Sequence, residues 1–421
     1  MRKLTFLLVP IILIAWLSGC KKAPHESPAT ITGLSAETVK YGGTLSIYGT
    51  SLDKSTVEAD SVFISDSIKT YILTPVSVSS NEIKVEIYNQ KSPYQLLDLT
   101  TFRIGIKISS QIKWSQESVS IVSNWKRLKD FPGGQRYKGA AFSVHGKGYM
   151  GLGTKLSNAV QNDLWEYTPS SDSWLKVADF PGQGRILPAV FMDADNGYVG
   201  GGQSLDNPDQ LPLIDFYKFN PSTNTWTRIA DNTSVEKSFP GYSVSTSDLQ
   251  HFANLKSGFL HKYSTTDNTW SLVYSSADGT INRSPQSFCI KNRIFIIGGC
   301  NNPVLNGTTN QVWEFNESTN TITKKADFPG SSRYGGFSFS IDNYGYIGCG
   351  VYYIFNGVVQ YLTDVYRYNP ENDTWIQMPS FPAGYKLNSI SFNIDSKAYV
   401  LTGYDYNTRL LTGDVWEFSA N

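Results

Sequence analysis

The sequence Asp163-Leu-Trp-Glu-Tyr-Thr-Pro-Ser-Ser-Asp-Ser-Trp174 contains the pattern that decides the fold. A strand-like segment ends at an aromatic residue, a turn rich in Pro, Ser and Asp follows, and Trp stands seven residues after the aromatic. Two strand-like runs joined by such a turn predict a β-hairpin. The same spacing recurs in the pairs Tyr167/Trp174, Phe219/Trp226, Tyr263/Trp270 and Tyr368/Trp375, with Phe315/Ile322 as a fifth copy.

Two further motifs precede the hairpins. Strands that end in glycines lie upstream, at Gly151-Leu-Gly153, Gly200-Gly-Gly202, Gly298-Gly299 and Gly348-Cys-Gly350. Before them comes Phe-Pro-Gly-x-x-Arg, at 131–136, 180–185 and 328–333. Counted from Trp125, successive anchors are 44 to 53 residues apart. Four short strands per unit of this length predict a β-propeller, and the matched motifs resemble kelch repeats over roughly residues 123–421.

The C-terminal copy predicts how the ring closes. Phe418 occupies the aromatic position of a sixth hairpin, but no Trp follows it before Asn421. Trp125 has no preceding aromatic partner of its own. We therefore predict that the segment around Trp125 is the outer strand of the last blade. This gives a six-bladed propeller closed by an N-terminal strand, without open sheet edges.

Residues 29–122 contain no repeat and predict a separate, small β-sandwich. Apolar and polar residues alternate in runs such as Leu45-Ser-Ile-Tyr48 and Ile83-Lys-Val-Glu-Ile87, a pattern typical of half-buried strands. The stretches Ile31-Thr-Gly-Leu34 and Tyr41-Gly-Gly-Thr-Leu45 resemble the opening of an IPT/TIG immunoglobulin-like domain. The whole chain is thus expected to be all-β. The resemblance implies a spacer or packing partner, and direct ligand binding is the alternative.

The first 28 residues predict export and anchoring. Arg2 and Lys3 precede an apolar stretch at 4–17, shorter than the roughly 20 residues that a membrane-spanning helix needs. The sequence Leu17-Ser-Gly-Cys20 resembles a bacterial lipobox. This implies a signal peptide at 1–19, a lipid on Cys20 and a tether at 20–28; an ordinary secretory signal is the alternative. Asp does not follow Cys20, which by the same resemblance implies the outer membrane, with the periplasmic or surface side left open.

Composition and motifs exclude several classes of function. Lys+Arg and Asp+Glu both number 36, so there is no global charge to attract nucleic acid. Four Cys and four His argue against a disulfide scaffold or a multi-zinc array. Cys289, Cys300 and Cys349 are expected to be buried thiols, and a disulfide or a metal site is the alternative. No zinc-protease, P-loop, Ser-hydrolase or dinucleotide motif occurs, so neither a cofactor nor catalytic residues are assigned.

Basic residues mark one face of the predicted propeller. With strands a to d numbered outward from the axis, the d–a loops and the b–c loops emerge on the same face. The Phe-Pro-Gly-x-x-Arg segments are d–a loops, and such arginines contact acidic ligands in kelch adaptor proteins. Guanidinium groups suit carboxylates and phosphates. The alternative is that each Arg bonds backbone carbonyls of the adjacent blade. The predicted ligand-binding residues of this set are Arg136, Arg185, Arg283, Arg333 and Lys386.

Aromatic and polar residues are concentrated in the long b–c loops of the same face. Blade 5 contributes Tyr352 and Tyr353, and blade 6 contributes Tyr404 and Tyr406. Aromatic planes beside Asn and Asp suit a sugar-binding cleft and equally suit a protein interface. Packing of the rings within their own loops is the third possibility. The four tyrosines are predicted to bind ligand.

These features predict a monomeric envelope lipoprotein that acts as a non-catalytic recognition module. Its partner on this face would be a glycan or an envelope protein, and its lipid would hold it to the membrane. The layout resembles surface binding lipoproteins of the Bacteroidetes type. The alternative is a mutarotase or epimerase of an acidic sugar such as sialic acid, because bacterial sialic-acid mutarotases are six-bladed kelch proteins. Candidate acid–base residues for that reaction are Asp206, Asp209 and Asp405.

Overall fold

The computed structural model describes most of the chain as two β-structured units. The described residues are 29–52, 62–93, 96–108, 111–205, 212–233, 243–245, 251–256, 258–275, 285–300, 307–354 and 358–420. For 243–245, 251–256, 353–354 and 358 only the backbone is described. Within these residues the structure contains 35 strands and a 3₁₀ turn at Pro169–Ser171. The all-β prediction is confirmed.

The first unit consists of two sheets with strand orders β1-β3-β7-β6 and β2-β9-β8-β4-β5. Its strands are β1 Thr30–Leu34, β2 Thr38–Lys40, β3 Thr44–Thr50, β4 Val62–Ser65, β5 Thr70–Leu73, β6 Ser77–Val78, β7 Glu82–Glu86, β8 Thr101–Ile108 and β9 Gln111–Val122. Alternate residues of each sheet point inward, because side chains of a strand alternate between its faces. The fully buried residues include Leu45, Ile47, Ile83 and Val85 from one sheet and Val62, Ile64, Ile104 and Ile106 from the other. The IPT/TIG assignment stays a prediction.

The second unit is a propeller of six four-stranded blades. Blade 1 comprises β11 Ala140–Val144, β12 Lys147–Gly151, β13 Leu164–Thr168 and β14 Ser173–Val177; blade 2 comprises β15 Ala189–Met192, β16 Gly197–Gly200, β17 Phe216–Asn220 and β18 Thr225–Ile229; blade 3 comprises β19 Ser243–Ser245, β20 His251–Lys256, β21 Phe259–Ser264 and β22 Thr269–Ser275. Blade 4 comprises β23 Gln286–Ile290, β24 Arg293–Ile297, β25 Val312–Asn316 and β26 Thr321–Lys324; blade 5 comprises β27 Phe337–Ile341, β28 Tyr344–Gly348, β31 Val365–Asn369 and β32 Thr374–Met378, with an inserted hairpin of β29 Val351–Ile354 and β30 Val358–Tyr361.

Blade 6 is assembled from both ends of the propeller sequence. Its strands are β33 Ile390–Ile394, β34 Lys397–Asp405 and β35 Leu410–Ser419, and its outer strand is β10 Trp125–Arg127. Trp125 stands opposite Phe418 in the antiparallel register of β10 and β35. Its indole packs edge-on against Phe381 and Phe418, with ring centroids 4.8 and 4.9 Å away. The predictions of six blades and of closure by the N-terminal strand are confirmed.

The repeated aromatic/Trp hairpins link neighbouring blades through hydrogen bonds. Asn224, in the c–d turn of blade 2, accepts a hydrogen bond from the backbone N–H of Ala178 in blade 1 at 2.8 Å. The Trp226 indole N–H donates to the carbonyl of the same Ala178 at 3.0 Å. The backbone N–H and the carbonyl of Ala178 are therefore both hydrogen-bonded to side chains of the next blade. The same contact joins Asn268 and Trp270 to Ala230, and Asp373 and Trp375 to Ala326.

The two units share a buried interface. The side chain of Arg367, in strand c of blade 5, is 5% exposed and donates to the Gly42 carbonyl at 2.8 Å and to Glu86 at 3.1 Å. Its guanidinium lies 4.2 Å from the centroid of the Tyr344 ring, and the Tyr344 hydroxyl donates to Glu86. Next to the closing strand, the Asn124 amide donates to the carbonyls of Tyr41 and Ser419. The sandwich therefore packs on blades 5 and 6.

We expect Trp125→Ala to weaken ring closure. Removing a large buried aromatic side chain costs about 3–5 kcal/mol, and here the loss falls on the three residue pairs that join β10 to β35. Hydrogen–deuterium exchange should show faster exchange in β10 and in blade 6 than in blades 2 and 3.

Trp226→Ala is the matched control, because Trp226 occupies the corresponding position in an internal blade. In Trp226→Ala, hydrogen–deuterium exchange should become faster at the contact of blades 1 and 2, whereas β10 should stay protected. Equal protection of β10 in the wild-type protein and in Trp125→Ala would contradict the proposed role of Trp125.

Candidate functional site

The alternation of strands brings the d–a loops and the b–c loops together on one face, which we call the mouth face. The described d–a loops are 128–139, 178–188, 325–336 and 379–389. In each, the residue after the motif's basic side chain forms a bridge with the b–c loop of its blade. These bridges are Tyr137 with Thr154, Ile186 with Gln203, Tyr334 with Val351, and Leu387 with Tyr404. The predicted placement of both loop sets on one face therefore matches the structure.

The predicted arginines that the structure describes are buried within their own blades. The Arg333 side chain is 0% exposed, and its two terminal nitrogens donate to the two carboxylate oxygens of Asp364 at 2.9 and 2.8 Å. It also donates to the carbonyl of Cys349, at the glycine-rich end of strand b, and lies over the Phe328 ring. A bidentate pair of this kind is strong and geometrically specific.

Other blades repeat this arrangement. Arg136 pairs with Asp163 and donates to the Leu152 carbonyl, whereas Arg185 pairs with Asp215 and donates to the Gly201 carbonyl. The side chain of Lys386 is 1% exposed and lies 2.5 Å from Asp414. Arg283 lies outside the described residues.

The alternative to ligand binding, a structural role for each basic side chain, thus applies to four of the five basic residues. The partner differs from the one expected, since each cation bonds a carboxylate of its own blade rather than carbonyls of the adjacent blade. The three arginines also donate to carbonyls of their own blade, and Lys386 donates to the Thr412 hydroxyl. The four side chains are enclosed, which leaves little of each charged group accessible from the mouth. Sequence reasoning missed the partners, although Asp stands two residues before Trp or Tyr in the segments that begin strand c: Asp163-Leu-Trp165, Asp215-Phe-Tyr217, Asp364-Val-Tyr366 and Asp414-Val-Trp416.

Five tyrosines form a continuous row on the mouth face, across blades 5, 6 and 1. Tyr361 and Tyr406 are stacked, with ring centroids 3.8 Å apart and planes 15° from parallel. Tyr404 lies 6.0 Å from Tyr406 and 6.2 Å from Tyr137, and Tyr385 lies 6.0 Å from Tyr361. Tyr406 is 40% exposed. We call Tyr385, Tyr361, Tyr406, Tyr404 and Tyr137 the tyrosine row.

The row contains only part of the predicted set. Tyr404 and Tyr406 were predicted and lie in it, whereas Tyr352 is half-buried in β29 and the Tyr353 side chain is not among the described ones. Tyr137 and Tyr385 were missed. Their signal was that each stands directly beside a basic residue of the d–a loop, Arg136 or Lys386.

The candidate acids are less favourably placed. Asp405 accepts hydrogen bonds from the Asn407 backbone at 2.9 Å and from the Thr408 hydroxyl at 3.1 Å, so both of its oxygens cap its own turn. Asp206 and Asp209 lie outside the described residues. In the part of the chain that is described, no group of three or more His, Cys, Asp or Glu could hold a metal ion.

A narrow cavity of about 200 Å³ runs between the inner strands of the blades. Its polar lining includes Ser287, Ser338, Ser391 and Asn393, and the Ser391 hydroxyl donates across the blade boundary to the Ser338 carbonyl. Cys289 lines it and is half-buried. Cys300 and Cys349 are buried as predicted, and burial raises the pKa of the Cys349 thiol to about 12. Among the described residues no cysteine forms a disulfide.

Comparisons with known proteins support the repeat assignment. The kelch motif is recognised at residues 286–327 and 355–382. The solved structure of YjhT superposes with a TM-score of 0.57 at 17% identity, covering 69% of this chain and 96% of that one. The chain therefore contains kelch repeats and has the fold of a kelch-type propeller.

Curated relatives match over a shorter stretch. The N-acetylneuraminate epimerases of Shigella flexneri serotype 5b (strain 8401) and Escherichia coli (strain K12) are each 32% identical over 85 residues, which is 20% of this chain. The match spans 23% of the length of those relatives.

The ion pairs of the mouth face predict a specific dependence of stability on pH. Burial alone would raise the pKa of Asp163, but hydrogen bonds and charge from Arg136 outweigh it and hold that pKa below its usual value. The stabilisation is therefore complete above the unfolded pKa of about 3.9 and is lost as pH falls through the folded pKa. Asp163→Asn should lower the free energy of unfolding at pH 7 by about 3–5 kcal/mol, because Arg136 is left buried without its partner.

Chemical unfolding at pH 7 and at pH 3 measures this difference. The difference in unfolding free energy between wild type and variant should narrow at pH 3, because this pH is below the unfolded pKa of about 3.9 and protonation of the unfolded wild-type carboxyl favours unfolding. Asp179→Asn is the control, since the exposed pair of Asp179 with Lys176 is worth less than about 1 kcal/mol. An equal difference in unfolding free energy between wild type and Asp163→Asn at pH 7 and at pH 3 would contradict the assignment of Asp163 as the charged partner of Arg136.

Proposed function

We propose that the mouth face binds an acidic sugar and that the protein interconverts its anomers, as a mutarotase or epimerase. The observation that carries the proposal is the tyrosine row, which presents half-exposed aromatic rings beside the axis of a kelch propeller. The local similarity to proteins named N-acetylneuraminate epimerase supports this class of substrate. This is the alternative that the sequence left open, and it now takes precedence over the non-catalytic reading.

The row suits a pyranose ring. An aromatic side chain offers an apolar face and, in Tyr, a hydroxyl at its edge. The C–H faces of a sugar pack on the rings, and its hydroxyl groups exchange hydrogen bonds with the phenols. The stack of Tyr361 on Tyr406 holds both planes in a fixed orientation. Rigid rings lose little conformational entropy when a ligand binds, so this arrangement is favourable for recognition.

Anomer interconversion requires only proton transfer. A base removes the proton of the anomeric hydroxyl while an acid protonates the ring oxygen; in N-acetylneuraminate the C2–O6 bond then breaks and gives the open-chain keto acid. Rotation about the adjacent C–C bond and the reverse transfers give the other anomer. The reaction needs no oxidant, and suitably placed acid–base groups accelerate such steps about 10²–10⁴-fold.

A second candidate is the non-catalytic recognition of a glycan or an envelope protein. The observation that favours it is Asp405, whose two oxygens already accept hydrogen bonds within its own turn. A carboxylate held in this way is a poor general base. In this reading the tyrosine row binds its partner without altering it.

For location, we propose a lipoprotein anchored to the outer membrane through Cys20. The support is the Leu17-Ser-Gly-Cys20 sequence after the apolar stretch at 4–17. Among the residues that the structure describes, no helix is long and apolar enough to cross a bilayer. Acyl chains would contribute roughly 0.8 kcal/mol per buried CH₂, so several chains hold a protein stably.

Anomer exchange tests the catalytic proposal directly. NMR exchange spectroscopy of N-acetylneuraminate should show faster interconversion with the protein than in buffer. Tyr406→Ala should reduce that acceleration about two- to tenfold, since a stacking contact is worth about 0.5–1.5 kcal/mol.

Tyr48→Ala is the control, because Tyr48 is similarly exposed, at 42%, but lies in the sandwich. Binding of the sugar without any acceleration would favour the recognition module. Absence of both binding and acceleration would contradict the acidic-sugar proposal.

Anchoring is tested by detergent partitioning. The protein expressed from its full sequence in a Gram-negative host should enter the detergent phase of Triton X-114, and Cys20→Ala should remain in the aqueous phase or as unprocessed precursor. Cys289→Ser is the control and should partition like the wild type. A Cys20→Ala variant that is cleaved and still enters the detergent phase would overturn the lipid assignment.

A further inference from the structure

Lys138 lies where the d–a loop enters the innermost strand of blade 1. Its backbone N–H donates to the Asn388 carbonyl of blade 6 at 3.1 Å, and its own carbonyl accepts the Leu187 N–H of blade 2 at 2.9 Å. Asn388 in turn donates to the Gly335 carbonyl of blade 5 at 2.7 Å. These hydrogen bonds run from blade to blade around the axis. The backbone of Lys138 is therefore fixed at the axial entrance of the mouth face.

The ammonium group of Lys138 differs from the neighbouring basic side chains of the described d–a motifs. Arg136, Arg185, Arg333 and Lys386 each have an Asp partner. Within the described residues, no carboxylate lies within ion-pair distance of Lys138. Its ammonium instead lies 4.9 Å from the centroid of the Tyr137 ring.

Partial burial makes this arrangement costly. Removing a charge from water is unfavourable unless an opposite charge or hydrogen-bond acceptors replace the solvent. Burial accordingly lowers the pKa of Lys138. An anionic group placed beside the ammonium would offset that cost, and a charge-assisted hydrogen bond would add to the gain.

Tyr137 connects this cation to the tyrosine row, since its ring is the end of the row nearest Tyr404. An anion bound by the ammonium would therefore lie at the end of an aromatic surface suited to a sugar ring. A neutral sugar would use the rings alone.

We propose that Lys138 binds the carboxylate of the ligand and makes the mouth face selective for acidic over neutral sugars. The inference rests on the proposed function of this face and assigns its charge recognition to one residue. Four of the five basic residues that the sequence assigned to this task form ion pairs of the scaffold instead: Arg136, Arg185, Arg333 and Lys386.

The chain itself provides substitutions suited to this position. Lys138 has a φ of 59°, in the left-handed region, and the corresponding residues of blades 2 and 6 are Leu187 at 50° and Asn388 at 51°. Lys138→Leu and Lys138→Asn therefore install side chains that the same backbone conformation already carries elsewhere in the ring. Thermal unfolding of both variants should follow that of the wild type.

The experiment compares N-acetylneuraminate with the neutral sugar N-acetylmannosamine, using titration calorimetry or saturation-transfer NMR. Lys138→Leu and Lys138→Asn should weaken binding of the acidic sugar about ten- to a hundredfold, as expected for loss of a hydrogen bond to a charged group. Binding of the neutral sugar should be unchanged, and Lys138→Arg should retain selectivity. Lys155→Met, a lysine of the blade 1 b–c loop, is the matched control and should have no effect.

The outcomes separate this inference from the function on which it rests. Weaker binding of the acidic sugar by Lys138→Leu and Lys138→Asn, with unchanged binding of the neutral sugar, supports the role of Lys138. Unchanged binding of the acidic sugar, or an equal loss for both sugars, overturns the role of Lys138 and leaves a sugar-binding face in place. A wild-type protein that binds neither sugar overturns the proposed function and this inference together.

Discussion

A hydrogen-bonded contact between the c–d turn of one blade and a peptide of the preceding blade recurs around the ring. Asn224 and Trp226 satisfy both polar groups of Ala178, and Asp172 accepts the backbone N–H of Lys129 across the closure between blades 6 and 1. The turn residues have left-handed backbones, with φ of 45° at Asp172 and 53° at Asn224, a conformation that Asn and Asp tolerate better than most residues. The hairpin motif therefore encodes the junction between blades as well as the blade.

The basic residues of the mouth face contribute to this rigidity at the opposite ends of the strands. Arg136, Arg185 and Arg333 each join the loop that enters a blade to the glycine-rich end of strand b and to the Asp directly before strand c. Lys386 joins its loop to Asp414 of strand c. The guanidinium groups, which are well suited to bind carboxylates, thus stabilise the loops through internal ion pairs. Ligand chemistry is left to the side chains that those loops present, namely the tyrosine row and Lys138. This division explains how loops without regular structure can hold a binding surface in place.

The sequence was sufficient for most of the fold because the aromatic/Trp spacing arises within single hairpins, and local patterns survive without knowledge of distant contacts. It also located the basic residues on the correct face. It did not show that Arg136 and Arg333 are enclosed, because their partners Asp163 and Asp364 are 27 and 31 residues away and the intervening loops differ in length. Tyr404 and Tyr406 were found from local composition, whereas Tyr137 and Tyr385 join the same row from different blades, and only the closed ring brings them together.

The docking of the sandwich on blades 5 and 6 has a mechanical consequence. If the chain is tethered at Cys20, as proposed, and holds a large ligand at the mouth, tension acts on the protein between these two points. The covalent route for that force runs through β9 into β10, the three-residue strand that closes the ring. The Arg367–Glu86 contact and the Asn124 hydrogen bonds provide a second route, which bypasses the closing strand. Both routes carry part of the tension, so less of it acts on the short pairing of β10 with β35 that closes the ring.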